Sequence, residues 1–403
     1  MPRSVDPPQA EPLLPVWNAF LDDLRDLAPA TLETLPEHVR DDPQVQQEIG
    51  RLMLGALAAR CIDALGGGGD HPIFLPSLNA VLNVFQPNAD TIYRTAHITP
   101  GGTYRLRGHA GSLRIAKIGA MAPPLADGTI QASEFYDLNS LKCDEQGRFD
   151  VLLSPSRPPD HTGDWWQLDP RAHTLLLRQV AYDWAAERDP VVAVERVDVR
   201  PNRPRPDAAD LAGRLRALAP GVRRTATLLI DHVPQLQREG FVNKFKVWDV
   251  AASHGGLFGQ FYYECAYELR DDEALLIESD YPETCGYASL ILTNQIFETT
   301  DWYNNHSSLN GAQWRLDTDG KLRVVVSATD PGVPNWLDTA GYPTGVVQGR
   351  WTDSSSTPVP TARKVSVAEV LELLPPDTPR VTEQERERII RDRRAWYQQR
   401  PLW

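Results

Sequence analysis

The stretch WRLDTDGKLRVVVS, Trp314 to Ser327, reads as two strands about a tight turn. Trp314 and Leu316 lead into Asp319-Gly320, and Leu322, Val324 and Val326 follow with an apolar residue at every second position. An Asp–Gly pair between alternating apolar residues tolerates the positive φ that a two-residue hairpin turn demands. The spacing predicts a β-hairpin, and with it a β domain in the carboxy-terminal half. Upstream, successive side chains of a strand point to opposite faces. The run from Phe261 then carries Phe261, Tyr263, Cys265 and Tyr267 on one face and Tyr262, Glu264, Ala266 and Glu268 on the other.

Further outward, the runs Thr103 to Arg107, Ser112 to Ile118, His173 to Trp184 and Val191 to Val199 read as short strands of a first β domain. Ahead of them, Val16, Phe20, Leu24 and Leu27 recur at helical spacing. Val45, Ile49, Leu52 and Ala56 do so within a second helix from about Pro43 to Leu65, which Gly66 to Gly69 end. Arg200 to Pro206 (RPNRPRP) cannot pair inside a sheet, because proline lacks the N–H, and so reads as a linker. Helical spacing returns with Leu211, Leu215 and Leu218. Ser366 with Glu369 and Thr382 with Glu385 form capping boxes ahead of two late helices. The arginines of the last helix, from Arg386 to Arg394, read as a solvated or self-docking face or, alternatively, a partner-binding arm.

The expected division is a helical segment 1–70, a first β domain 71–206, a helical bridge 207–240, a β-sandwich domain 241–360 and a helical tail 361–403. The fold class is mainly β with helical additions (α+β): two β-sandwich or jelly-roll-like units plus a helical amino terminus.

Length and charge bound the function. A chain of 403 residues holds two or three packed units. Lys plus Arg number 41 against 54 Asp plus Glu, a formal charge of −13. Such a body repels phosphate, which argues against nucleic acid and anionic lipid surfaces and toward a small-molecule partner, with homo-oligomerisation left open. The four cysteines, Cys61, Cys143, Cys265 and Cys285, form no close pair and read as buried free thiols. With no apolar run of membrane length and no leader pattern, a cytoplasmic location is expected.

The motifs of serine hydrolases, zinc proteases, P-loops and calcium loops are absent from the chain. What remains are polar and aromatic clusters beside strands. In PNADTIY (Pro87 to Tyr93), Asn88 and Asp90 cap their own turn or, functionally, Asp90 is a general base with Tyr93 as donor. In WYNNHSSLN (Trp302 to Asn310), His306 is a proton carrier or a hydrogen-bonded structural residue. Asn310 and Asn335 would orient a substrate, and Trp336 and Tyr263 would wall the pocket. Histidines 97, 109, 173, 254 and 306 lack paired spacing, so neither a metal nor any other cofactor is expected.

The same motifs resemble a bacterial family known as domain of unknown function twelve-fourteen, with a looser amino-terminal match to its partner domain twelve-fifty-four. The resemblance rests on PNADTIY, on Ser308 to Asn310, on Trp314 to Ser327, on NWLDTAG (Asn335 to Gly341) and on GRW (Gly349 to Trp351), and in the carboxy-terminal part covers residues 260–352. It implies two β-sandwich or jelly-roll-like units with helical additions and no settled reaction. This chain departs from it in its long helical amino terminus and in lacking the secretion signal that many relatives carry.

The leading expectation is an enzyme that turns over a small neutral hydroxylated or polycyclic molecule by metal-independent acid–base chemistry, in a pocket between the β domains. The alternative is a non-catalytic module for a carbohydrate or lipid-like ligand.

Overall fold

The computed structural model describes residues 13–123, 132–205, 208–249, 256–257 and 259–402. Four helices open the chain: α1 (Leu13–Arg25), α2 (Leu27–Leu32), α3 (Glu37–Arg40) and α4 (Pro43–Gly66). Nine strands follow: β1 (Leu75–Leu78), β2 (Thr91–His97), β3 (Tyr104–His109), β4 (Ile115–Met121), β5 (Ala132–Asp137), β6 (Arg148–Ser154), β7 (Asp164–Gln167), β8 (Thr174–Val180) and β9 (Val191–Arg196). After α5 (Ala208–Thr227) and α6 (His232–Arg238) come β10 (Lys246–Val247), β11 (Gln260–Glu268), β12 (Glu273–Ser279), β13 (Cys285–Leu292), β14 (Ser308–Asn310), β15 (Leu322–Ser327), β16 (Trp336–Asp338), β17 (Thr344–Ser354) and β18 (Thr361–Ser366). The protein is mainly β with helical additions.

The two sets of nine strands are wired identically. The first forms a five-stranded sheet, β1-β2-β8-β4-β5, and a four-stranded one, β7-β6-β3-β9; the second forms β10-β11-β17-β13-β14 and β16-β15-β12-β18. Adding nine to each strand number converts one pattern into the other. Even the parallel pairs coincide, β6 with β7 and β15 with β16. Each set closes into a sandwich over its own core. Leu106, Ile118, Val151 and Leu175 meet in the first, and Tyr263, Leu290, Val324 and Trp351 in the second. Gly349 has no side chain because the Tyr263 ring takes the space: a Cβ there would lie 2.2 Å from it.

Helix α5 is more than a bridge. Its Leu215, Leu218 and Val222 pack with Phe20, Ile49 and Leu52 of α1 and α4, so both sandwiches share one helical layer. The outward faces of the two five-stranded sheets meet, with Ile115, Val180 and Tyr182 against Tyr287 and Leu257. The carboxy-terminal helix, Glu383–Gln398, straps the halves together. Its Arg393 donates to the Trp302 and Ser308 oxygens, and beyond it Arg400 grips Asp189 and the Asp90 and Gln179 carbonyls. Arg386 docks on Asp330, whereas Arg388, Arg391 and Arg394 stay exposed. Part of the arginine face therefore docks on the protein itself.

Three expectations need correction. Trp314 to Ser327 is no hairpin: Asp317 to Lys321 makes the tight turn, with Gly320 at φ +79°, but residues before it form no strand. A strand has two hydrogen-bonding edges, and those of β15 are taken by β12 and β16, so Trp314 goes into the sandwich core instead. The tail does not begin at 361, because Thr361–Ser366 is a sheet strand on β12. The cysteines are free, yet only Cys265 is buried; Cys143 is exposed and the other two half-buried.

Candidate functional site

Where the outward faces of the two five-stranded sheets meet, they leave a cavity of about 370 Å³. The register places equivalent residues on its two sides. In the first half Tyr93 on β2 lies opposite Arg178 on β8; in the second Tyr262 on β11 lies opposite Arg350 on β17. Arg60 of α4 and Arg224 of α5 line it from the helical layer. The rest of the described wall combines the neutral polar residues Gln86, Asn88, Thr91, Gln260 and Gln348 with apolar groups, among them Phe85, Leu176 and Val180 from one half and Leu228, Trp248 and Phe297 from the other. Phe85 and Gln86 reach it from consecutive left-handed residues, φ +58° and +59°. Non-glycine residues rarely adopt that conformation, and it tends to gather at functional sites.

The electrostatics are one-sided. Among the described lining residues there are four arginines and no carboxylate. Arg178 and Arg350 are only 8% and 4% exposed. Arg350 donates from Nη2 to Gln348 Oε1 at 2.8 Å and lies 5.2 Å from the Tyr262 ring centre, while its enclosed Nε has no protein partner. A buried guanidinium needs negative charge or full hydrogen bonding to offset its lost hydration. Burial pulls the Arg178 pKa down, and the neighbouring Tyr93 and Tyr262 hydroxyls pull it back up. Burial raises the Tyr262 pKa against the opposing effect of Arg350, and its hydroxyl donates to Gln260.

Of the residues singled out from the sequence, Tyr93 lines this cavity. Asp90 is enclosed between the domains, accepting from Trp184 Nε1 (2.8 Å), Asn310 Nδ2 (2.9 Å) and the Tyr287 hydroxyl (2.6 Å). Burial raises its pKa, and those three donors lower it. Asp90 and Asn310 do meet, as a link between sandwiches that lies away from the cavity wall. Tyr263 is a correction: it is fully buried in the sandwich core, and its neighbour Tyr262, on the opposite face, is the one at the wall.

Asn335 and Trp336 are corrected likewise. Asn335 ties together the backbones of Arg315 and Arg323, and the Trp336 indole donates to Ser327 in a core beneath Arg386. His306 bonds through Nδ1 to the Trp336 carbonyl at 2.5 Å. Burial, aided by Arg393 and Arg386, pushes its pKa well below the usual histidine range. A histidine held neutral is a poor proton carrier at physiological pH. It borders a different, wider cleft of about 580 Å³ under the carboxy-terminal helix, lined by exposed arginines and by Asp183 and Glu385. Among the described residues no group of three or more His, Cys, Asp or Glu side chains could hold a metal ion, and His254 lies outside them. No helix among them is long and apolar enough to cross a membrane.

The residues missed from sequence are Arg178, Arg350 and Gln348, whereas Tyr262 is legible on its strand face although the expected wall residue is Tyr263. The signal of the missed residues was present: TLLLRQV and GVVQGRW each place an arginine inside a largely apolar strand, where arginine is rarely buried without a reason.

No protein-family model matches the chain, and no curated relative does. The family resemblance is therefore carried by its motifs alone. The chain is similar to the crystal structure of an uncharacterized protein from Burkholderia cenocepacia, at 28% identity and a TM-score of 0.80 over 88% of this chain and 97% of that one. A protein from Vibrio parahaemolyticus aligns over 85% of this chain and 100% of its own, at 10% identity and a TM-score of 0.43, too distant to bear on the site.

Proposed function

We propose that this protein binds a small organic anion with an apolar body in the cavity between its two five-stranded sheets. The observation that supports this most is Arg350, a guanidinium 4% exposed whose one hydrogen bond among the described residues is to a neutral amide oxygen. A ligand carboxylate or similar oxyanion supplies negative charge, which no described lining residue carries, and Phe85, Trp248 and Phe297 receive the body. This replaces the neutral ligand expected from overall charge and is akin to the lipid-like alternative. Trp248 gives the assay. Its fluorescence should change with hexanoate or benzoate and not with hexanol or benzamide, and Arg350→Gln should weaken the response. Equal responses to acids and their neutral analogues would refute the proposal.

Acid–base turnover of that ligand is a second reading, favoured by the two tyrosines beside the arginines. Tyr262, its pKa raised, keeps its proton at neutral pH and, on turning from Gln260, would hydrogen-bond a developing oxyanion rather than ionise. Product detection by NMR, lost in Tyr262→Phe with binding retained, would distinguish an enzyme from a binding module.

A further inference from the structure

The cavity is built twice over from one plan. The two halves share their strand order, and within it the same register positions recur: Tyr93 opposite Arg178, and Tyr262 opposite Arg350. The long helix preceding each sandwich adds one arginine, Arg60 from the first half and Arg224 from the second. Each half therefore presents a tyrosine hydroxyl and a buried guanidinium to the same space. A tyrosine beside an arginine is a compact receptor for a planar oxyanion, the guanidinium fork matching its two oxygens. The two receptors adjoin, because Arg178 interacts with the tyrosine of its own half and with Tyr262 of the other.

Resting on the reading that the cavity takes an organic anion, we infer that its ligand carries two carboxylate groups on a short spacer, one for each arginine–tyrosine couple. A monocarboxylate engages one couple and leaves the second guanidinium facing only apolar or neutral groups of the ligand. The diacid engages both, and the second contact adds to the first at high effective concentration. The halves are not identical: Gln348, two residues before Arg350, is matched by Leu176 two residues before Arg178. The second couple is therefore the more polar, and Arg350 should contribute more than Arg178.

Isothermal titration of the full chain at pH 7 with matched pairs tests this: succinate against butyrate, glutarate against pentanoate, adipate against hexanoate. At least one diacid should bind tenfold or more tightly than the monoacid of equal carbon count. Arg178→Gln and Arg350→Gln should each remove most of that diacid's advantage over the monoacid, with the larger loss at Arg350. Monoacids binding as tightly as every diacid would overturn the inference while leaving the anion site standing. No binding by either class would overturn the anion site itself. The comparison of acids on the unaltered protein decides the matter even where a variant fails to fold.

Discussion

Replacing Asp90 separates a structural from a catalytic carboxylate. In Asp90→Ala three enclosed donors lose an acceptor: the Trp184 indole, the Asn310 amide and the Tyr287 hydroxyl. A buried donor left without a partner costs about 1–3 kcal/mol. Asn310 Nδ2 retains the Tyr182 carbonyl at 2.9 Å, so its loss is partial, whereas the indole has one donor and no second acceptor. The total should be about 3–5 kcal/mol. At the ~2–4 °C per kcal/mol typical of units of this size, the melting temperature should fall by roughly 6–20 °C. Asp90→Asn keeps an oxygen for the indole and Asn310 and turns its amide toward Tyr287, whose hydroxyl can also accept. It should cost only about 1–2 kcal/mol. Thermal unfolding of both variants, followed by circular dichroism, checks the ratio. Equal losses in the two, or unchanged stability in Asp90→Ala with loss of ligand turnover, would refute the structural assignment.

Glu298 should make stability depend on pH. Burial, opposed by Arg51 at 2.5 Å, raises its pKa from 4.5 to about 7. Below 4.5 folded and unfolded chains are both protonated there and its contribution is complete; it is lost as pH rises through 7, a change of about 3 kcal/mol. Urea midpoints of the parent should fall relative to those of Glu298→Gln between pH 4.5 and 7.5, and a constant difference would exclude this origin. Tyr263→Phe removes an enclosed hydroxyl without a partner, so it should leave stability unchanged or raise it by about 1 kcal/mol, with anion binding intact by titration. His306→Ala should lower the melting temperature, because it removes the bond to the Trp336 carbonyl and opens a cavity, while Trp248 fluorescence still reports ligand.

Local chemistry in the chain determined a good deal of this protein by itself. The apolar stripe Val45, Ile49, Leu52 and Ala56 became the buried face of α4, and both capping boxes formed as written, because caps and helical stripes depend on residues within a few positions of one another. The alternation from Phe261 to Glu268 separated Tyr262 from Tyr263 correctly. Which of the two meets the cavity was settled only in three dimensions. Both faces of β11 are covered, one by its own sandwich and the other by the opposite domain, and alternation says nothing when neither face meets water. The Asp319-Gly320 turn was legible, but the partners of β15 were not, since β12 and β16 satisfy its edges from elsewhere in the chain. Likewise Asp90 meets Asn310 across 220 residues, and Tyr93 meets Arg178 only through sheet register. Net charge and the cavity wall point to different ligands for a related reason. The −13 is spread over a surface where salt screens it within about 10 Å, whereas Arg178 and Arg350 are buried at the wall of one cavity, where screening is weak. Pattern within a segment thus decided what each element is, and the packing of two equivalent sandwiches decided which side chains converge.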